Sequence, residues 1–199
     1  MGWYMHKQIL LLVLAVAFAG SVHGREIAGV HVDETVVVPG VAETLKLNGA
    51  AIRSKFLVKV YVAALYVTET TDDASVILAS TSARRMMLHM LYNEVEKEKL
   101  AKSWQEGVEK NLGAADYLAI KSRLDRFNSL FSTMRRNDVA WIDYVPGAGT
   151  RVTLRGKGGL YEEKGVIEGA DFYRAILSVW IGDEPATEEM KAGLLGIDK

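Results

Sequence analysis

Cysteine is absent from the 199-residue chain. That excludes disulfides, thiolate zinc sites, iron–sulfur clusters and a cysteine nucleophile. Proline occurs only three times, and with eighteen glycines the composition is neither collagen-like nor that of a disordered chain. There is no excess of basic residues: 24 Lys and Arg stand against 25 Asp and Glu, a net charge of −1. Without a basic field the chain has no means of holding a phosphate backbone, so nucleic acid is not an expected partner. Phosphate-binding loops, nucleophile elbows and histidine pairs at metal-ligating spacing are also missing. Residues 156–159, Gly-Lys-Gly-Gly, lead into no helix and read as a hairpin turn. The sequence therefore calls for no metal, no cofactor and no catalytic group. Its length suits one domain with a short appendage.

What is present begins with residues 1–24, which have the pattern of a secretory signal. His6 and Lys7 precede an unbroken apolar run over residues 9–19, and Gly24 offers a small residue before the charged Arg25-Glu26. The run is shorter than the roughly 20 residues needed to span a bilayer, and no later segment is long and apolar enough to be a second span. Cleavage would leave residues 25–199 as a domain exported to the periplasm or the medium. It would remove Lys7 and two of the four histidines, leaving a net charge of −2 with His31 and His89.

The mature region alternates first with period two and then with helical spacing. Strands are expected over 34–38, ending at Pro39-Gly40, over 44–47, ending at a turn at Asn48-Gly49, and over 56–68. Residues 56–68 carry bulk at both parities, so both faces should be covered. A short helix over 73–79 and a Met-rich strand over 84–92 follow. Leu100, Trp104, Val108 and Leu112 form one helical stripe, and Tyr117, Ile120, Leu124, Phe127 and Phe131 a second. Strands over 138–145, 151–154 and 165–168 precede helices over 171–181 and 187–195, the last capped by Thr187. The order implies an α+β fold: an antiparallel sheet with a layer of helices on one face. Trp141, Tyr144, Phe127 and Phe131 are expected in the core.

Arg53 is the residue that most invites a function. It sits between small residues and an apolar strand, and a charge in such a place needs a partner. A ligand carboxylate, held bidentately, is one candidate, with Tyr61 or Tyr66 supplying a further hydrogen bond. An internal acidic residue, or solvent, would serve equally. His89, within Met86-Met87-Leu88-His89-Met90-Leu91, reads as a core histidine bonded to a backbone carbonyl; the alternative is an axial haem ligand.

Leu47, Gly49 and Arg53, followed by Lys59, Tyr61, Leu65 and Tyr66, resemble the most recognisable stretch of the chalcone isomerase-like family. Leu91-Tyr92-Asn93-Glu94-Val95 with Trp104 and Gly107, Tyr144-Val145-Pro146-Gly147, Ile167-Glu168-Gly169, Trp180-Ile181-Gly182-Asp183 and Gly193-Leu194-Leu195-Gly196 match in order. The resemblance implies an open-faced sandwich with a ligand cleft between sheet and helices. Catalytic members cyclise chalcones with the arginine, a threonine, a tyrosine, an asparagine and a late-helix hydroxyl. Here those positions hold Arg53, Tyr61, a residue near Glu96, one near Ser103 and one near Tyr173. Other members bind fatty acids through the arginine and a tyrosine on the next strand, a pattern that Arg53 and Tyr66 match in spacing. The resemblance thus implies a non-catalytic binder of a small amphipathic acid, with Arg53, Tyr66, Tyr61 and Tyr173 at the ligand. Isomerase (intramolecular lyase) activity and haem binding are the alternatives.

Overall fold

The computed structural model describes residues 24–156 and 158–197; the expected signal segment, Gly24 apart, lies outside them. The chain opens with a hairpin, β1 (Gly24–Ile27) and β2 (Val30–Asp33), then β3 (Thr35–Val37), β4 (Thr44–Lys55) and β5 (Val58–Val67). Helix α1 (Ala74–Ala79), capped by the Asp73 side chain, leads to β6 (Arg84–Met90) and the short β7 (Glu94–Val95). Helices α2 (Lys97–Asn111) and α3 (Ala114–Ser129) follow, then β8 (Met134–Arg135), β9 (Val139–Val145), β10 (Gly149–Arg155) and β11 (Tyr161–Ile167). Helices α4 (Ala170–Ile181) and α5 (Glu188–Leu194) close the fold.

Seven strands form one antiparallel sheet in the order β11-β10-β9-β6-β5-β4-β3. The sheet curls into a half-barrel. Arg151 on β10 donates through Nη1 to the Pro39 carbonyl beyond β3, at 2.6 Å. Five strand spacings separate those strands in the sheet order, roughly 24 Å if the sheet were flat.

As expected, β5 is buried on both faces. Tyr61, Ala63, Leu65 and Val67 join the core beneath the helices, while Val62, Ala64 and Tyr66 join a second cluster with Val30, Val32, Val38 and Leu45 on the concave side. Helix α4 is buried around nearly its whole girth, from Phe172 to Ile181 except Arg174. It lies between the sheet and the outer helices, which is why its sequence lacks a polar face. The α+β architecture with helices on one face is therefore as the sequence implies.

Some local expectations are corrected. Asn48-Gly49 is not a turn: β4 runs through it, with Asn48 bulged out between Leu47↔Tyr66 and Gly49↔Leu65. The bulge is held because the Asn48 amide accepts from Thr71 N (2.8 Å) and donates to Leu194 O (2.9 Å). A side chain at Gly49 would collide with the carbonyls of Gly193 and Leu194, so glycine here lets α5 lie directly on β4. The turn instead falls at Phe56-Leu57, both with positive φ (49° and 65°), the arrangement of a two-residue hairpin loop. Strand β11 begins at Tyr161 rather than 165, and Trp141 is only half-buried, stacked on Tyr161 with ring centroids 4.5 Å apart.

Candidate functional site

Of the four residues singled out in the sequence, the fold brings two together. Arg53 and Tyr61 are cross-strand partners on β4 and β5 and share the helix-facing side of the sheet. The Tyr61 hydroxyl accepts a hydrogen bond from Trp180 Nε1 at 3.0 Å, which ties the sheet to the last turn of α4. The half-buried Arg53 turns its Nη1 to the adjacent Ser54 carbonyl, 2.6 Å away. Tyr173 lies seven residues before Trp180 on α4, roughly 10 Å along the helix, and its hydroxyl reaches the Ile142 carbonyl at 3.4 Å. Burial pushes the phenols of Tyr61 and Tyr173 up, so both stay protonated at neutral pH. Glu96 stands at the N-cap position of α2 without a side-chain capping bond and pairs with Lys99 at its exposed rim, and Ser103 is exposed on α2.

Tyr66 is on the other face. Its register partner is Leu47, and it packs with Val62 and Ala64 in the concave cluster. Arg53 and Tyr66 are therefore separated by the sheet itself, because the twelve residues between them include the hairpin turn, and the register places Arg53 opposite Tyr61. Burial also raises the Tyr66 phenol, with Asp33 adding to the effect.

The concave face has its own polar system. Arg85, beside Tyr66 across the β5–β6 pair, donates from Nε and Nη2 to the two oxygens of Asp143, at 2.6 and 2.8 Å. Both residues are buried, and the Arg85 guanidinium lies over the Trp141 ring at 5.2 Å. Around them are two adjoining hollows of about 460 and 310 Å³, which share Arg85, Trp141 and Tyr161. Tyr66 and His89 line the smaller one. His89 is half-buried, and burial together with Arg155 lowers its pKa against the opposing effect of a hydrogen bond to Asn137. Among the described residues there is no cluster of His, Asp and Glu able to hold a metal ion.

Arg84 is a functional candidate that the sequence pattern alone does not single out. It is 1% exposed and faces the helices, the opposite direction from Arg85. Its Nη1 donates to the Ile77 carbonyl of α1 at 2.5 Å. Its Cζ lies 4.9 Å from the ring centre of Tyr144 and 5.0 Å from that of Tyr173, a cation–π arrangement on two sides. Nε and Nη2 have no hydrogen-bond partner among the described residues. Desolvation holds its pKa below the usual arginine value, with the two tyrosines opposing. The signal was available: two consecutive arginines opening a strand apolar on both faces must point to opposite faces, and each must be buried.

A model of the family described as chalcone isomerase-like matches residues 24–196. The chain belongs to the chalcone isomerase-like family. Among solved structures, this family member is similar to the Arabidopsis thaliana fatty-acid-binding protein AtFAP1. The two share 19% identity and a TM-score of 0.61, over 81% of this chain and 96% of that one. At that identity the likeness speaks for the fold. No match was found among curated proteins.

Proposed function

We propose that the protein is an exported, non-catalytic binding protein for a small amphipathic acid such as a fatty acid. The observation that carries this reading is the state of the polar groups on the helix-facing side of the sheet. Tyr61 is committed to Trp180, Tyr61 and Tyr173 are buried neutral phenols, and Glu96 and Ser103 face solvent. Cyclisation needs groups placed to stabilise a developing anion and to move a proton. Tyr61 and Tyr173 are spent on packing here and Glu96 and Ser103 are turned to solvent, while positive charge is kept in apolar surroundings. That combination suits holding a carboxylate. The similarity in fold to a plant fatty-acid-binding protein agrees with it. Arg53 would stand at the rim of the helix-facing side, and Tyr66 would serve only a ligand on the concave side.

Native mass spectrometry of the purified protein with a visible absorption spectrum tests the reading. A co-purified acid, displaced by added dodecanoate, is the expected result. A Soret band would instead make His89 a haem ligand. Naringenin chalcone followed against a no-enzyme control should cyclise at the spontaneous rate; a large, stereoselective acceleration lost in Arg53→Ala would replace binding with isomerase activity. Export predicts that the protein from an exporting host begins near Arg25, as read by N-terminal sequencing. A full-length cytosolic product would reject it.

A further inference from the structure

We propose that Arg84 is the carboxylate clamp of this protein, taking a ligand acid side-on through Nε and Nη2 between the Tyr144 and Tyr173 rings. The inference rests on the acid-binding reading above and gives it a site.

A guanidinium offers a carboxylate two parallel N–H donors along one edge. The side-on edge is the Nε/Nη2 pair, which Arg85 uses to hold Asp143. Arg84 presents that same edge without a protein acceptor, while its remaining nitrogen, Nη1, is tied back to Ile77. The guanidinium is thus fixed in orientation by α1 and flanked by two rings, and the edge suited to a carboxylate is the one left over. No carboxylate of the described residues forms an ion pair with it. A buried charge in that condition is strongly disfavoured unless an anion joins it.

Access exists. Arg84 lines a hollow of about 230 Å³ between β5, α1 and the start of β6, walled by Val67, Val76 and Ile77 and edged by Thr68 and Ser82. Glu69 also borders it, on its exposed side. Val67 and Ile77 are its buried apolar members, Val76 is exposed, and Thr71 and Ser80 add to the polar lining. A carboxylate would neutralise the buried charge, and the start of an alkyl chain would meet Val67 and Ile77. Thr150, two strands from Arg84 in the same cross-strand row through Tyr144, has a buried hydroxyl that is also without a partner. Arg84 and Thr150 thus flank Tyr144, away from Arg53, while a further buried oxygen without a partner, Asn128 Oδ1, belongs to α3.

The test is binding of dodecanoate, methyl dodecanoate and inorganic phosphate to the purified protein and to Arg84→Met and Arg84→Lys. Calorimetry and ligand-induced change in Tm are read together. Loss of two charge-assisted hydrogen bonds should weaken dodecanoate binding by about ten- to a hundredfold in Arg84→Met. Arg84→Lys, which keeps the charge and loses the fork, should fall between. The methyl ester should bind the wild type weakly and be indifferent to both substitutions. Dodecanoate should raise the Tm of the wild type and not that of Arg84→Met. Equal dodecanoate affinity in wild type and both variants would overturn the clamp and leave acid binding standing at another place. Absence of any acid binding to the wild type would overturn the acid-binding reading itself. A phosphate-induced rise in Tm equal to that of dodecanoate would overturn the assignment to an apolar acid. Should Arg84→Met fail to fold, the comparison of acid with ester on Arg84→Lys decides the matter.

Discussion

Arg84 and Arg85 are joined by one peptide bond and live in two different proteins, so far as their side chains are concerned. The pleat sends Arg85 to the concave face, where Asp143 fills its Nε/Nη2 fork. It sends Arg84 to the helix-facing side, where two tyrosine rings flank the guanidinium and the same fork meets no protein acceptor. Both side chains lose most of their hydration; Arg85 regains it from a carboxylate, Arg84 only in part, from the Ile77 carbonyl and two ring faces. A closed pair fixes geometry; an open one, kept at similar desolvation cost, is a feature that stability does not explain. The contrast separates the residues that hold the sheet together from those that remain for a ligand.

Breaking the closed side should have the largest effect. Asp143→Ala strands Arg85 with its charge buried, and losses for breaking such a pair run about 3–5 kcal/mol. Urea unfolding of the variant should show that drop, and Arg85→Met with Asp143→Leu should recover most of it. Arg84→Met removes a charge that has no protein counter-ion, so its stability should stay within about 1 kcal/mol of wild type or rise. If Arg84→Met costs as much as Asp143→Ala, the two arginines do the same structural work and the contrast fails.

A middle-sized effect belongs to the closed polar pair on the helix-facing side. Tyr61→Phe leaves Trp180 Nε1–H buried without its acceptor, at a cost of about 1–3 kcal/mol. Adding Trp180→Phe should return part of that loss in a double-mutant cycle, because both polar atoms then go together. A Tyr61→Phe variant as stable as wild type would mean that the bond contributes nothing to joining α4 to the sheet. Tyr61 would then be as free for a ligand as Arg84.

The sequence made the architecture legible because periodicity records burial. Residues 56–68 announce a strand covered on both sides, which holds from Tyr61 to Val67 while Phe56 and Leu57 form an exposed turn, and Leu100, Trp104 and Val108 announce a helix facing the core, as found. Where it misled, a local signal had been overridden by a distant contact. Asn48-Gly49 carries turn chemistry, yet Thr71 and Leu194 claim the Asn48 side chain and keep β4 running. Trp141 has the look of a core residue and instead stacks on Tyr161 from a strand whose start the sequence placed four residues late. The site was legible only in part. Spacing suggested that Arg53 and Tyr66 meet, but facing depends on register, and a bulge at Val60, just after the turn at Phe56-Leu57, sets Arg53 against Tyr61. The Arg85–Asp143 pair depends on β6 lying beside β9, which no local pattern encodes.

The smallest effect expected concerns the concave face at mildly acidic pH. His89 shares that face with Arg85 and Met87 on β6. Burial and Arg155 disfavour its charged form more than Asn137 supports it, so its folded pKa lies below the unfolded value of 6.5. Between those two values the unfolded chain binds more protons than the folded one, and stability falls as pH falls. His89 should therefore contribute fully above about pH 6.5 and progressively lose its contribution below it. Urea unfolding of wild type and His89→Gln at pH 5, 6, 7 and 8 isolates this residue from His31 by difference. The wild type should lose stability relative to the variant on acidification, with no divergence between pH 7 and 8. The opposite slope, with wild type gaining on acidification, would mean that protonated His89 finds an anion on the concave face. The compensated side of the sheet would then also hold an open charge, and the distinction drawn between Arg84 and Arg85 would no longer follow the two faces.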